Sequence, residues 1–385
     1  MGRHQRAETA GLVSFLFCAL VGGGAMNLYM TLAPAIWLVS LRMFTACSAI
    51  VAACAVVSFC IGYARGSSSF TLRRGWLVPV RRSLEILALS VVYAATAFLT
   101  SFLILNVANG IIGTQMFVGY LVGVCAGMSG VVGYLTYVQS QAMRAKTLAA
   151  LLPFFVISGV GGAGMTTDDP YWFVNNFSRL GDRTTFAAGM FNTTVILAGL
   201  CVIVISYFSV AELITTYRQH AMWSGARDAG KDTHMRLFRT RLACLSLLLA
   251  ASGVCFIGIG SFRQSPHPIA HNAFAFSLPC ITGVLMLALP WLAPLFSKAT
   301  YVVSDLMVVI GIVSVNLWLR DEISMTNLEL LLIMLFFGWF VVFSRQIAAI
   351  EADRIQEQIL HIQAALPSRG DDAEAPPESR LAIDK

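Results

Sequence analysis

Runs of apolar residues, each long enough to cross a bilayer, cover nearly the whole chain and leave no stretch for a soluble domain. A helical span needs about 20 predominantly apolar residues, because the hydrocarbon core is roughly 30 Å thick. About ten such runs occur, near 11–32, 40–63, 84–106, 114–139, 149–165, 185–213, 242–260, 273–296, 300–319 and 327–344. They are continuously apolar, without the alternation of barrel strands, so the backbone must satisfy its own hydrogen bonds within helices. The fold class that follows is all-α, a polytopic transmembrane helical bundle in a multi-pass cell-membrane protein. Chemistry in such a chain belongs to loop ends and helix faces.

Composition agrees, since 57% of residues are hydrophobic and only 12% are charged, against about 25% charged in a soluble domain. The net charge of +6 suggests an acidic partner until its distribution is considered. With a cytoplasmic N-terminus, 21 of the 26 Lys and Arg residues fall in cytoplasmic segments. Arg179, Arg183, Arg263 and Arg320 fall outside, and Arg42 lies in a span. Inverting the chain would invert this bias, so both termini are expected in the cytoplasm. No basic helix or aromatic platform supports nucleic-acid binding. Arg3 and Arg6 before the first apolar run resemble the start of a signal peptide, but no small-x-small cleavage site follows, and an uncleaved first span is expected. The nine cysteines all lie in apolar runs without a CxxC pair and read as small buried residues.

The organisation expected is a four-span region over 1–148, a six-span region over 149–345, an amphipathic cytoplasmic helix over 346–366 and a disordered tail over 367–385. Ile347, Ile350, Ile355, Ile359, Ile362 and Leu366 give the amphipathic helix its spacing, and Pro367 stops it. It can lie on the membrane, bind a protein partner or continue the last span. Gly119, Gly123 and Gly127 form GxxxGxxxG, a face for close helix approach, expected to pack within the bundle more readily than between two copies. Gly159, Gly161, Gly162 and Gly164 read as a flexible exit from the fifth span.

The densest polar material lies in the outer loops. One carries Thr166 to Trp172 and then Asn175, Asn176, Ser178, Arg179, Asp182 and Arg183; another carries Arg263 to Asn272. Pro268 suits the first turn of a helix, which puts His267 at the cap and His271 one turn further on the same side. Two histidines at that spacing can share a metal with Asp168, Asp169 or Asp182, but no HExxH is present, and hydrogen-bonded headgroup-level histidines are the preferred reading; no cofactor is expected. Arg42, Glu85, Glu212 and Asp305 all sit near span ends, where snorkelling or an ion pair satisfies them. That argues against an ion-coupled pump. Gly225 to Lys231 matches GxxxxGK, yet Asp232 stands where a Ser or Thr is required and the loop cannot hold the strand and helix of a P-loop.

Two further segments carry a resemblance. Phe177-Ser178-Arg179-Leu180-Gly181 leads to Met190-Phe191-Asn192 at the head of one span, and His267 to Phe274 opens another. With these, roughly 150–345 resembles the bacterial domain-of-unknown-function family 998 and, more distantly, the Frag/DRAM/Sfk-like six-helix proteins. The bacterial family has no established activity, and its eukaryotic cousins look like membrane factors tied to lipid or lipid-anchor processing; carried over by residue, the resemblance points to Asn192, His271 and Asn272, with Arg179 and Asp182 beside them. The function expected is therefore an integral membrane factor that binds or processes a polar lipid headgroup at the outer leaflet. Asp182, Arg179, His267, His271 and Asn272 would line the pocket, Arg179 holding a phosphate and His271 carrying a proton. Two rivals stand beside it, a small-molecule transporter and a non-catalytic assembly protein that binds partners through 346–366.

Overall fold

The computed structural model describes residues 3–32, 40–66, 77–141, 145–223 and 231–365, and all regular structure among them is α-helix. The first four helices are α1 (Arg3–Leu32), α2 (Ser40–Gly66), α3 (Leu77–Ile112) and α4 (Thr114–Gln141). Next come α5 (Ala145–Thr166), two short helices α6 (Trp172–Asn175) and α7 (Ser178–Asp182), α8 (Phe186–Trp223) and α9 (Lys231–Ser261). The chain continues through α10 (Pro268–Leu287), the one-turn α11 (Leu289–Leu292), α12 (Lys298–Leu319) and α13 (Met325–Ala365). Among the described residues, ten helices are long and apolar enough to cross a membrane, so this is a multi-pass membrane protein.

Two boundaries differ from the sequence reading. The eighth span starts at Pro268 and ends at Leu287, several residues earlier at both ends than expected. Pro268 fits the first turn, where its missing N–H costs nothing. Pro290 opens the separate turn α11, since a proline cannot donate into a continuing helix. The last span does not stop near 344 but runs unbroken to Ala365 as part of α13, with Phe343, Ile347 and Ala348 buried. Residues 366–385, including Leu366, Pro367 and the expected tail, lie outside the described residues.

Close approach between helices follows small residues. Gly133 of α4 lies against Cys18 of α1, where an added Cβ would come within 2.6 Å of the sulfur. On the other side of the molecule, a Cβ on Gly253 of α9 would meet the Gly199 carbonyl of α8 at 2.7 Å. Helices in lipid gain little from apolar burial, so this backbone-to-backbone packing supplies van der Waals contact instead. α1 and α2 pack on α4, α3 packs on α2 and α5, and α5, α8, α9 and α10 follow side by side, with α13 against α5 and α8. Along α12, Val302, Leu306, Val309, Ile312 and Val313 are exposed, a face suited to acyl chains.

The glycine motifs correct two expectations. Gly119, Gly123 and Gly127 have open space where a Cβ would stand, so among the described residues nothing packs on the GxxxGxxxG face. The glycines of α4 that are packed, Gly130 and Gly133, lie further along and meet α1. Gly159 to Gly164 form no exit loop; they lie inside α5, where Gly159 abuts Thr194 and Gly162 abuts Met190 of α8.

Candidate functional site

The loop between α5 and α8, the turn between α9 and α10, and the start of α13 meet at one end of the bundle. Helix α7 is set in place by three contacts. The Asn176 side chain accepts the Arg179 N–H at 3.1 Å, which satisfies a free amide of the first turn. Asn192 of α8 donates to the Gly181 carbonyl at 2.9 Å. Only glycine fits at 181, because a Cβ would collide with the Asn192 side-chain oxygen. From α13, the Glu329 carboxylate accepts the Phe177 N–H at 2.7 Å.

The turn after α9 is held as firmly. Gly258 and Gly260 leave room for the Phe274 ring of α10 and the Asn192 backbone of α8, so three helices converge there. The Phe262 ring stacks on Phe274 with centroids 5.8 Å apart and meets His267 edge-on. The Phe262 carbonyl lies just past the end of α9, where no intrahelical donor remains for it. His271 takes up that acceptor, with Nδ1 at 2.7 Å from the oxygen.

His271 is 3% exposed and uses both ring nitrogens. Its Nε2 lies 2.8 Å from the Ser178 hydroxyl of α7. A carbonyl can only accept, so Nδ1 carries a proton, and in the neutral ring Nε2 is the acceptor for the Ser178 O–H. Next to this pair, Asp182 accepts the Ser265 backbone N–H at 2.7 Å and the Ser265 hydroxyl as well. Arg179 stands 3.9 Å from the same carboxylate with its side chain 46% exposed. The other arginine of this loop, Arg183, is committed elsewhere, at 2.8 Å from Asp168 and 3.6 Å from Asp169.

Of the residues named from sequence, the structure brings His271, Asp182 and Arg179 onto this end, with Asn192 supporting α7 from below. His267 caps α10 only by position, makes no side-chain cap bond and is exposed. Asn272 is half-buried one residue past His271. The two histidines do not share a ligand position, because both His271 nitrogens are engaged inside the protein. Among the described residues no group of three or more His, Cys, Asp and Glu side chains is placed to hold a metal ion.

Three participants were missed by sequence reasoning. Ser178 lies in a quoted motif, but nothing local shows that its partner is His271, 93 positions away. Ser265, the partner of Asp182, is likewise one serine among several. Glu329 does carry a signal, as a lone carboxylate near the start of an apolar run.

The surface around the cluster is mixed, with exposed Asp168, Asn175, Arg183 and His267 interspersed with apolar side chains. Tyr171, Phe173, Val174 and Ile269 are exposed beside it, and α6 has no buried residue at all. A concavity of about 300 Å³ lies between α8 and α9, away from these loops, and it is lined by Val210, Ile214, Phe238, Arg239, Leu242 and Ser246. Its charge is limited to Arg239 and it shares no residue with the cluster. In comparison with known proteins, the chain matches no family model, no curated sequence and no solved structure.

Proposed function

We propose that this membrane protein binds and processes a polar lipid headgroup at the outer leaflet, at the end of the bundle formed by α7, the α9–α10 turn and the start of α13. The observation that carries this reading is a polar cluster set directly beside an exposed apolar rim. Arg179 is held near Asp182 yet remains half exposed, and Tyr171, Phe173, Val174 and Ile269 stand uncovered next to it. An amphiphile matches both halves, with its phosphate against the guanidinium and its chains along the rim. Asp182, fixed by Ser265, orients Arg179, while His271 supplies a proton acceptor.

Retention of lipid by the full chain tests this. The protein is placed in nanodiscs of phosphatidylglycerol and phosphatidylcholine containing diacylglycerol, and retained lipid is read by native mass spectrometry. Arg179→Ala and Asp182→Ala are expected to lower phospholipid retention about tenfold and to leave diacylglycerol unchanged. Equal retention of all three lipids by folded wild type and variants removes the reading. Orientation is tested separately, by labelling single cysteines introduced at Arg73 and His267, with His267 expected on the outer side and Arg73 on the cytoplasmic side if both termini are cytoplasmic.

A protein partner on the projecting end of α13 is a second reading, supported by exposed Ile359 and Leu360 on that helix. Loss of co-purifying subunits on deleting 346–366 would support it, and an unchanged set would remove it.

A further inference from the structure

The headgroup reading leaves one feature without a role, the Ser178 hydroxyl aimed at the acceptor nitrogen of a buried histidine. A serine alcohol is a poor nucleophile until a base within hydrogen-bond reach takes its proton, and that base works best when a third group fixes its tautomer. All three parts are present. Ser178 Oγ is 2.8 Å from His271 Nε2, and His271 Nδ1 is 2.7 Å from the Phe262 carbonyl. The carbonyl requires the proton on Nδ1, which leaves the Nε2 lone pair facing the hydroxyl. His271 is buried, so its ring is held in this orientation, while Ser178 is only half-buried. The parts come from three separate elements, α7, the end of α9 and α10, and each is anchored by its own contacts.

We propose that Ser178 is the nucleophile of an acyl-transfer reaction on a glycerophospholipid ester, with His271 as its general base; this rests on the headgroup reading. The substrate class follows from the neighbours. Arg179 directly follows Ser178 and is the exposed cation for a phosphate, so the ester linkages of a bound glycerophospholipid lie within a few bonds of the anchored group. The apolar rim formed by Tyr171, Phe173 and Val174 takes the chain attached to that ester.

Ser178 Oγ adds to the ester carbonyl carbon as its proton passes to His271 Nε2. The tetrahedral adduct collapses with cleavage of the bond between the carbonyl carbon and the glycerol oxygen. Nε2 returns the proton to that oxygen, so a lysophospholipid leaves and Ser178 is acylated. A water molecule then loses a proton to Nε2 and adds to the acyl carbon. Collapse returns the proton to Ser178 Oγ and releases a fatty acid. No oxidant, metal or further co-reactant enters the balance.

A fluorophosphonate carrying a fluorophore tests the nucleophile directly, because it forms an adduct on an activated serine and not on one that only makes a hydrogen bond. The full chain in phosphatidylglycerol nanodiscs is expected to carry one adduct, mapped by peptide mass to Ser178, and to release fatty acid from the bilayer only while the probe is absent. His271→Gln should slow adduct formation at least ~100-fold, the lower end of general-base contributions, with an unchanged melting temperature. Ser178→Ala should abolish it, and Ser178→Thr should keep a measurable part. Absence of an adduct on folded wild type that still retains phospholipid through Arg179 overturns the nucleophile and leaves the headgroup reading standing. An adduct on Ser178 without Arg179-dependent retention overturns the phospholipid substrate, and the headgroup reading falls with it.

Discussion

The two halves of the bundle solve the same packing problem with opposite uses of polarity. In α1, α2 and α4, hydroxyls and thiols lie in mid-helix and bond across the seam. Ser58 donates to the Gly133 carbonyl at 2.6 Å, Ser14 reaches the same oxygen at 3.2 Å, and Cys125 reaches Gly22 at 3.6 Å. These polar groups join one helix to the next. In α8 and α9 the seam brings backbone to backbone, Gly199 against Gly253, and the mid-helix hydroxyls of Thr194, Ser206, Ser246 and Ser252 bond to carbonyls of their own helix, while a separate polar cluster stands at the helix ends. A hydrogen bond that only joins two helices needs nothing from solvent or ligand, whereas Ser178, His271, Arg179 and Asp182 sit where a headgroup can arrive. The contrast is one of position: bonds across a seam in the first half, and a polar cluster at the helix ends in the second.

The largest effects should come from filling the seam between α8 and α9. Gly253→Leu would push a side chain into the α8 backbone, since its Cβ alone would stand 2.7 Å from a carbonyl oxygen that cannot rotate away. The expected cost is about 3 kcal/mol, the upper end for overpacking, read as a lower melting temperature in detergent. Gly133→Leu in the first half meets the Cys18 sulfur at 2.6 Å and its Cβ at 2.8 Å, with the nearest backbone atom, the Ser14 carbonyl oxygen, further off at 3.4 Å, so its loss should be smaller. Equal losses would erase the distinction between a rigid and an adaptable seam.

Removal of His271 comes next. His271→Ala strands the Phe262 carbonyl and the Ser178 hydroxyl together, at about 1–3 kcal/mol for buried groups left without partners. Amide exchange should accelerate across 176–183 and 262–267 and stay unchanged in α1, α2 and α4. Faster exchange throughout would mean that the end cluster also supports the four-span region.

How far the sequence discloses these halves depends on the range of each contact. The ten spans are legible because lipid imposes length and apolarity on every residue of a helix. The polar loops are legible as well, and within them His271, Asp182 and Arg179. Their partners are not, because Ser178 meets His271 and Ser265 meets Asp182 only after α8 and α9 have packed. The glycines mislead for a related reason. GxxxGxxxG reports that a face is flat, not what lies against it, and the irregular set at Gly159 to Gly164 proves to be the packed one. The α13 extension escapes because an amphipathic pattern after a span is equally compatible with a break or a continuation.

Glu329 separates geometry from charge within the second half. Its carboxylate accepts the Phe177 N–H, so Glu329→Gln keeps an acceptor in place and Glu329→Leu removes it. The leucine variant should cost about 1 kcal/mol, the usual net worth of one such bond, and should loosen the start of α7 by amide exchange. The glutamine variant should lose less than half of that. A glutamine as damaging as leucine would show that the charge itself is required at this end.

The smallest effect should be at Gly119. Its Cβ position is open, as are those of Gly123 and Gly127, and α4 turns its packed glycines, Gly130 and Gly133, toward α1 instead. In a single chain surrounded by lipid, Gly119→Leu adds apolar surface to a face already solvated by acyl chains, and its removal of a helical glycine is favourable. The melting temperature should move by no more than the equivalent of about 0.5 kcal/mol, as for substitutions away from any packed feature. Gly133→Leu on the same helix is the internal control. A large loss at Gly119 that depends on protein concentration would show that the flat face is occupied by another chain, and the first half would then be an interface as well.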